Sequence, residues 1–219
     1  ETTEAEAQTT EVMGTIEATE SAEEADADDP QGSNMGNETG ASVDVTALLS
    51  AGSVAESGET TFGIDVARYQ GTIDWSQVAA SGVQFAMIRV GYRTQKTGEI
   101  VADSNAKYNM QEAQANGIKI GVYFFSTAVT EDEADWVADY ISQYQITYPV
   151  AFNCEGFENA DSRQYAMTQS ERTDMAIAFL NEIYNRGYTP MFYAAKNEML
   201  GDAKWDTSRI EKTYKIWVS

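Results

Sequence analysis

Apolar residues cluster along this chain in short, nearly unbroken runs: Phe62–Val66, Phe85–Val90, Ile118–Phe125, Val150–Asn153, Met191–Ala194 and Tyr214–Val218. Runs of this length with little polar alternation predict strands covered on both faces, as in a parallel sheet. Between them the period changes to that of helices. Trp136, Val137, Tyr140 and Ile141 share one helical face, and Ala176, Phe179, Leu180 and Ile183 share another. Three N-terminal capping boxes are predicted, at Asp74-Trp75-Ser76-Gln77, Thr130-Glu131-Asp132-Glu133 and Thr168-Gln169-Ser170-Glu171. Gly82, Gly117 and Gly187 stand where helices end in a left-handed residue.

The strands recur at about 30 residues, the length of one strand-helix-strand unit. The sequence therefore predicts an α/β fold with right-handed crossovers, either a doubly wound sheet or a (β/α) barrel. A dinucleotide-binding sheet lacks support. The first strand, Gly63-Ile64-Asp65-Val66, leads into Ala67-Arg68-Tyr69-Gln70 and not into a glycine-rich phosphate turn.

This pattern begins only at Thr61. Residues 1–60 hold 15 of the 35 acids and none of the 14 lysines and arginines. They read as a disordered acidic linker, because so polar a segment cannot bury enough apolar surface to offset the entropy of ordering it. A transient helix over Val43–Leu49 is the one local expectation within it. Such a segment fits either a stalk spacing a domain from a surface anchor outside this chain or a solubilising leader. The formal charge of −21 thus belongs largely to the tail, and residues 61–219 carry a net of −6. With no basic face to meet phosphates, nucleic acid is excluded as an expected partner, and a monomer is expected.

The chain has no histidine. Ser-His-Asp and Cys-His nucleophiles, imidazole-based zinc sites and histidine bases are therefore excluded, and no metal or other cofactor is expected. Cys154 has no partner for an internal disulfide and is expected to be a small buried apolar residue. Chemistry falls to carboxylates, and in parallel α/β folds reacting groups gather at the carboxyl ends of strands. Asp65 lies near the end of the first predicted strand, and Asn153 and Glu155 lie at the end of the fourth. Residues two apart on a strand share a face, so Asn153 and Glu155 are expected to point into the mouth while Cys154 points to the helices. A carboxyl held in a partly apolar mouth keeps its proton to higher pH and can act as a general acid on a glycosidic bond. Tyr92, Tyr123, Tyr193 and Trp217 are candidate sugar-stacking rings at strand ends. Arg89 and Arg93 are either anion contacts or structural ion pairs.

These residues carry a resemblance. Gly63-Ile64-Asp65-Val66, Tyr69-Gln70-Gly71-Thr72-Ile73-Asp74-Trp75, Phe85-Ala86-Met87-Ile88-Arg89, Gly121-Val122-Tyr123-Phe124-Phe125, Tyr148-Pro149-Val150-Ala151-Phe152-Asn153-Cys154-Glu155 and Ile216-Trp217-Val218 occur in an order that resembles glycoside hydrolase family 25. These are the Chalaropsis-type lysozymes, secreted N-acetylmuramidases of the cell wall. The resemblance implies a modified TIM-like barrel of five β/α units followed by extra strands, with peptidoglycan glycan strands as partner and an extracellular or cell-surface location. It implies Glu155 as proton donor to the leaving oxygen and Asp65 as a group that positions substrate or stabilises charge. It also implies a contact from residue 153 to the substrate's acetamido group, where the family has Asp and this chain has Asn. Asn keeps the shape without the charge, so a peptidoglycan-binding module with impaired catalysis is the alternative. The family continues past the Ile-Trp-Val strand, so the barrel is expected to be truncated after about six strands and the 219 residues to be part of a longer protein.

Overall fold

A computed structural model describes residues 28–31, 61–130 and 132–219. Most of the expected acidic linker, with Val43–Leu49, lies outside the described residues. Six parallel strands form the body: β1 (Gly63–Val66), β2 (Phe85–Arg93), β4 (Lys119–Phe125), β5 (Val150–Asn153), β6 (Pro190–Ala194) and β7 (Lys215–Val218), hydrogen-bonded in that order. A short β3 (Ile100–Ala102) runs antiparallel on β2. The sheet curls into an open half-barrel, as a truncated TIM-like barrel would. All six predicted strands are present: β5 falls where expected, and β1, β4, β6 and β7 start one residue away from their expected positions.

By contrast, β2 runs on to Arg93, and its register to β4 slips between Arg89 and Gly91. Gly91 is needed at this irregularity, since a Cβ there would lie 2.6 Å from the carbonyl oxygen of Val101.

The crossovers are α1 (Trp75–Ala80), α2 (Ala106–Ala115), α3 (Ala134–Ile141) and α4 (Gln169–Asn185), with short turns α5 (Lys196–Met199) and α6 (Thr207–Ile210) before β7. Asp74 caps α1 by accepting from the amides of Ser76 and Gln77, and Thr168 with Glu171 forms the reciprocal capping box of α4. The predicted start at Thr130 is displaced, since the N-cap is Glu133. The helix α3 starts at Ala134, and its N-terminal flank is Glu133, whose carboxylate accepts from Arg93 Nη2 at 3.1 Å.

Side chains leave the sheet in two directions. One set (Ile88, Val122, Phe124, Phe152 and Phe192 among them) packs under the helices, with Trp75 and Trp205 in the same core. The other set faces the hollow of the curl: Met87, Tyr123 and Ala151 are buried there, against Phe85, Tyr148, Met191 and Trp217. Area buried on the helix side is the main stabilising term, since transfer of apolar surface from water contributes about 25 cal/mol per Å². The hollow is less completely filled. A cavity of about 670 Å³ lies inside it toward the strand starts, lined by Phe85, Tyr148, Thr189 and Lys215 as well as by Asp65, Met191 and Trp217, and it does not include Asn153 or Glu155.

Candidate active site

Parity along each strand decides which groups enter the hollow. Asp65 pairs with Met87 across β1 and β2, Arg89 with Tyr123 across β2 and β4, and Asn153 with Tyr193 across β5 and β6. Tyr193 in turn pairs with Trp217 on β7. Cys154 takes the opposite face and is buried under the helices, where its thiol donates to Gln164 at 3.2 Å. Glu155 follows β5 directly, two residues after Asn153, so both point to the same mouth.

Glu155 is half-buried, and the amide of Asn153 donates from Nδ2 to its Oε1 at 3.2 Å. Poor hydration raises its carboxyl above the ordinary range; hydrogen bonds from Asn153 and Tyr193 pull it back, and the charge of Asp65 pushes it up again. Asp65 thus acts on Glu155 through its charge, as the smallest of these effects. The Asp65 side chain is open to the groove, yet the surrounding protein limits its hydration and raises its carboxyl as well. Asn153 is only 4 % exposed, and its Oδ1 has no hydrogen-bond partner among the described residues.

The rings form a continuous wall. Tyr193 meets Trp217 edge-on with centroids 4.8 Å apart, and Trp217 meets Tyr123 at 6.1 Å in the same manner. Tyr193 and Trp217 are partly exposed in the groove, while Tyr123 is buried with its hydroxyl near Gln31. Tyr92 does not reach this wall. It is fully buried beneath Arg89, whose guanidinium carbon lies 4.9 Å from its ring centre. Arg89 is also fully buried, bonded from Nε to Asp103 at 2.8 Å and from its terminal nitrogens to Asp29 and Gln31. Arg93 is a structural partner of Glu133, outside the mouth.

Sequence reasoning missed Asp103 and the Asp28–Gln31 segment. Asp103 sits in a loop indistinguishable from other acidic turns, and Asp29 lies in a uniformly acidic tail, 60 residues before the arginine it pairs with. Among the described residues no group of three or more Cys, Asp or Glu side chains could hold a metal ion.

The arrangement is thus two carboxyls with raised proton affinity, one buried amide with a spare acceptor, and an aromatic wall, all at the carboxyl ends of parallel strands. Similar solved structures include a muramidase from Acremonium alcalophilum (20% identity, covering 73% of this chain and 76% of that one, TM-score 0.59). The family 25 glycosyl hydrolase from Bacillus anthracis aligns at 17% identity over 73% of this chain and 70% of its own, with TM-score 0.56. The modular autolysin LytC from Streptococcus pneumoniae, in complex with a synthetic peptidoglycan ligand, aligns at 21% identity over 71% of this chain and 36% of its own, with TM-score 0.59. Comparison with curated proteins gives no match. The model of the family described as Glycosyl hydrolases family 25 matches residues 64–219, and the chain belongs to that family.

Proposed function

We propose that this glycoside hydrolase is a secreted N-acetylmuramidase, cutting the β-1,4 bond between N-acetylmuramic acid and N-acetylglucosamine in peptidoglycan. The observation that carries the reading is the half-buried Glu155, its carboxyl raised by poor hydration and by Asp65 and held by Asn153 at the strand ends. Raised proton affinity leaves Glu155 protonated at a pH where an ordinary glutamate is charged, which a general acid requires. In the reaction Glu155 gives its proton to the glycosidic oxygen as the bond to the anomeric carbon breaks. The substrate's own acetamido oxygen then closes on that carbon, while Asp65, when ionised, stabilises the positive charge. Asn153 Oδ1, buried and without a partner among the described residues, accepts from the acetamido N–H and orients that group. Glu155, now a carboxylate, takes a proton from the water that opens the cyclised intermediate.

Clearing of purified cell walls by the protein tests this. Glu155→Gln keeps the shape and removes the proton, so clearing is expected to vanish while the thermal transition stays in place. Wild-type rates in that variant end the acid assignment. Wall binding without clearing by the unaltered protein would favour the binding-module alternative, for which Asn153 in place of an acid is the specific ground.

A further inference from the structure

Asp28–Gln31 lies against the inner face of the barrel and not on its outer surface. Both terminal nitrogens of Arg89 are engaged by it: Nη1 donates to Asp29 Oδ1 at 2.9 Å and to Gln31 Oε1 at 2.8 Å, and Nη2 donates to Asp29 Oδ2 at 2.7 Å. Arg68 Nε lies 3.2 Å from the same Oδ2. Gln31 Nε2 donates to the Tyr123 hydroxyl at 3.3 Å. The other end of the segment is pinned to the loop after β2, where the Lys96 amide donates to Asp28 Oδ2 at 2.6 Å and the Gln95 amide to the Asp28 carbonyl at 3.4 Å.

Arg89 does not depend on this strap for its place in the wall. Its Nε donates to Asp103, and its plane lies over the rings of Tyr69 and Tyr92 at 5.1 and 4.9 Å. Without Asp29, a two-pronged donor would face the hollow, and that fork matches a carboxylate. It opens beside Tyr123, whose ring contacts Trp217; Trp217 contacts Tyr193, and Tyr193 and Glu155 influence each other electrostatically.

We propose that Arg89, with Arg68 and Tyr123, forms a carboxylate-binding subsite of the groove, and that Asp28–Gln31 is an autoinhibitory strap whose Asp29 occupies that subsite as a built-in competitor. The ligand it excludes is a carboxylate, from the lactyl group of muramic acid or from a stem peptide; that identity rests on the muramidase reading, and the occlusion does not. A strap closed about nine-tenths of the time lowers apparent affinity about tenfold.

The test uses the whole chain, unaltered and as Asp29→Ala, with two probes followed by Trp fluorescence: free N-acetylmuramic acid and the dipeptide D-alanyl-D-alanine. Asp29→Ala is expected to bind one of them about tenfold more tightly, and which one identifies the source of the carboxylate. KM for cell walls is expected to fall with kcat unchanged. A synthetic peptide of residues 26–33 added to the variant should restore the weaker binding, and the same peptide with Ala at 29 should not. Equal or weaker binding of both probes by the variant, or a peptide without effect, overturns the strap. If Asp29→Ala lowers the melting temperature, the isosteric Asp29→Asn decides: unchanged affinity there makes Asp29 a structural clamp. Tighter probe binding with no wall cleavage by any form would leave the strap standing and remove the muramidase reading, and cleavage with unchanged probe binding would do the reverse.

Discussion

Replacing Asn153 by aspartate exchanges a hydrogen-bond donor to Glu155 for a second negative charge at nearly the same place. In the present site Nδ2 lies 3.2 Å from Oε1, and this bond favours the charged form of Glu155. The substitution removes that help and adds repulsion. Two unit charges 4 Å apart repel by about 1 kcal/mol in water and about 4 kcal/mol at the effective dielectric constant typical near a protein surface. At about 1.4 kcal/mol per pH unit, the proton on Glu155 is held about one to three pH units further up. The sign follows from the role proposed for Glu155. A general acid works while protonated, so activity is present below its pKa and lost as pH rises through it. The alkaline limb of kcat/KM for wall hydrolysis is therefore expected to move upward in Asn153→Asp, whatever happens to the maximal rate. Measuring kcat/KM across pH for both forms, at constant ionic strength, reads this directly. An alkaline limb that stays in place or moves down refutes the argument, because Glu155 would then not be the titrating acid or would not feel residue 153.

Two further outcomes follow from the same geometry. Asp65→Asn keeps the shape and removes the charge assigned to the developing cation; wall hydrolysis is expected to fall by about two orders of magnitude with KM little changed, and steady-state kinetics that lose only KM would assign Asp65 to ground-state binding. Gly121→Ala places a Cβ 2.6 Å from the Pro149 carbonyl oxygen and from Met87 Sδ. Backbone stands on one side of that contact and cannot yield cheaply, so denaturant unfolding should show a loss of about 1–3 kcal/mol, and an unchanged midpoint would mean that β4 and the loop before β5 separate easily.

The strands were readable because each is covered on both sides, which leaves an apolar run that turn residues interrupt. The exception is instructive. After Val90, β2 continues through Gly91 and Arg93, residues that look like a strand end. What holds Arg93 inside is Glu133, a partner 40 residues away, just as Arg89 within the predicted run is held by Asp29, 60 residues away, and by Asp103. Local pattern carries no trace of such pairs. The register slip after Arg89 has a second effect, because simple alternation no longer says which way Tyr92 points, and its ring ends beneath Arg89 and not in the groove. On β5, where no irregularity intervenes, parity alone correctly put Asn153 and Glu155 on one face and Cys154 on the other. Trp205 was missed as a core residue because it lies between two short turns with no periodicity of its own, yet it packs against Phe152, Phe157 and Phe192.

That alternation on β5 supplies a native reporter. The single thiol of the chain, Cys154, is sealed behind the site, and burial raises its pKa to about 12. Thiolate is the reactive form, so an alkylating reagent at neutral pH finds almost none of it while β5 stays backed by its helices. The speed of alkylation therefore clocks how often that backing lifts away. Adding glycan fragments or altering the amino-terminal segment can then be read as a change in the breathing of the strand that leads to the proposed acid, Glu155, with no engineered label.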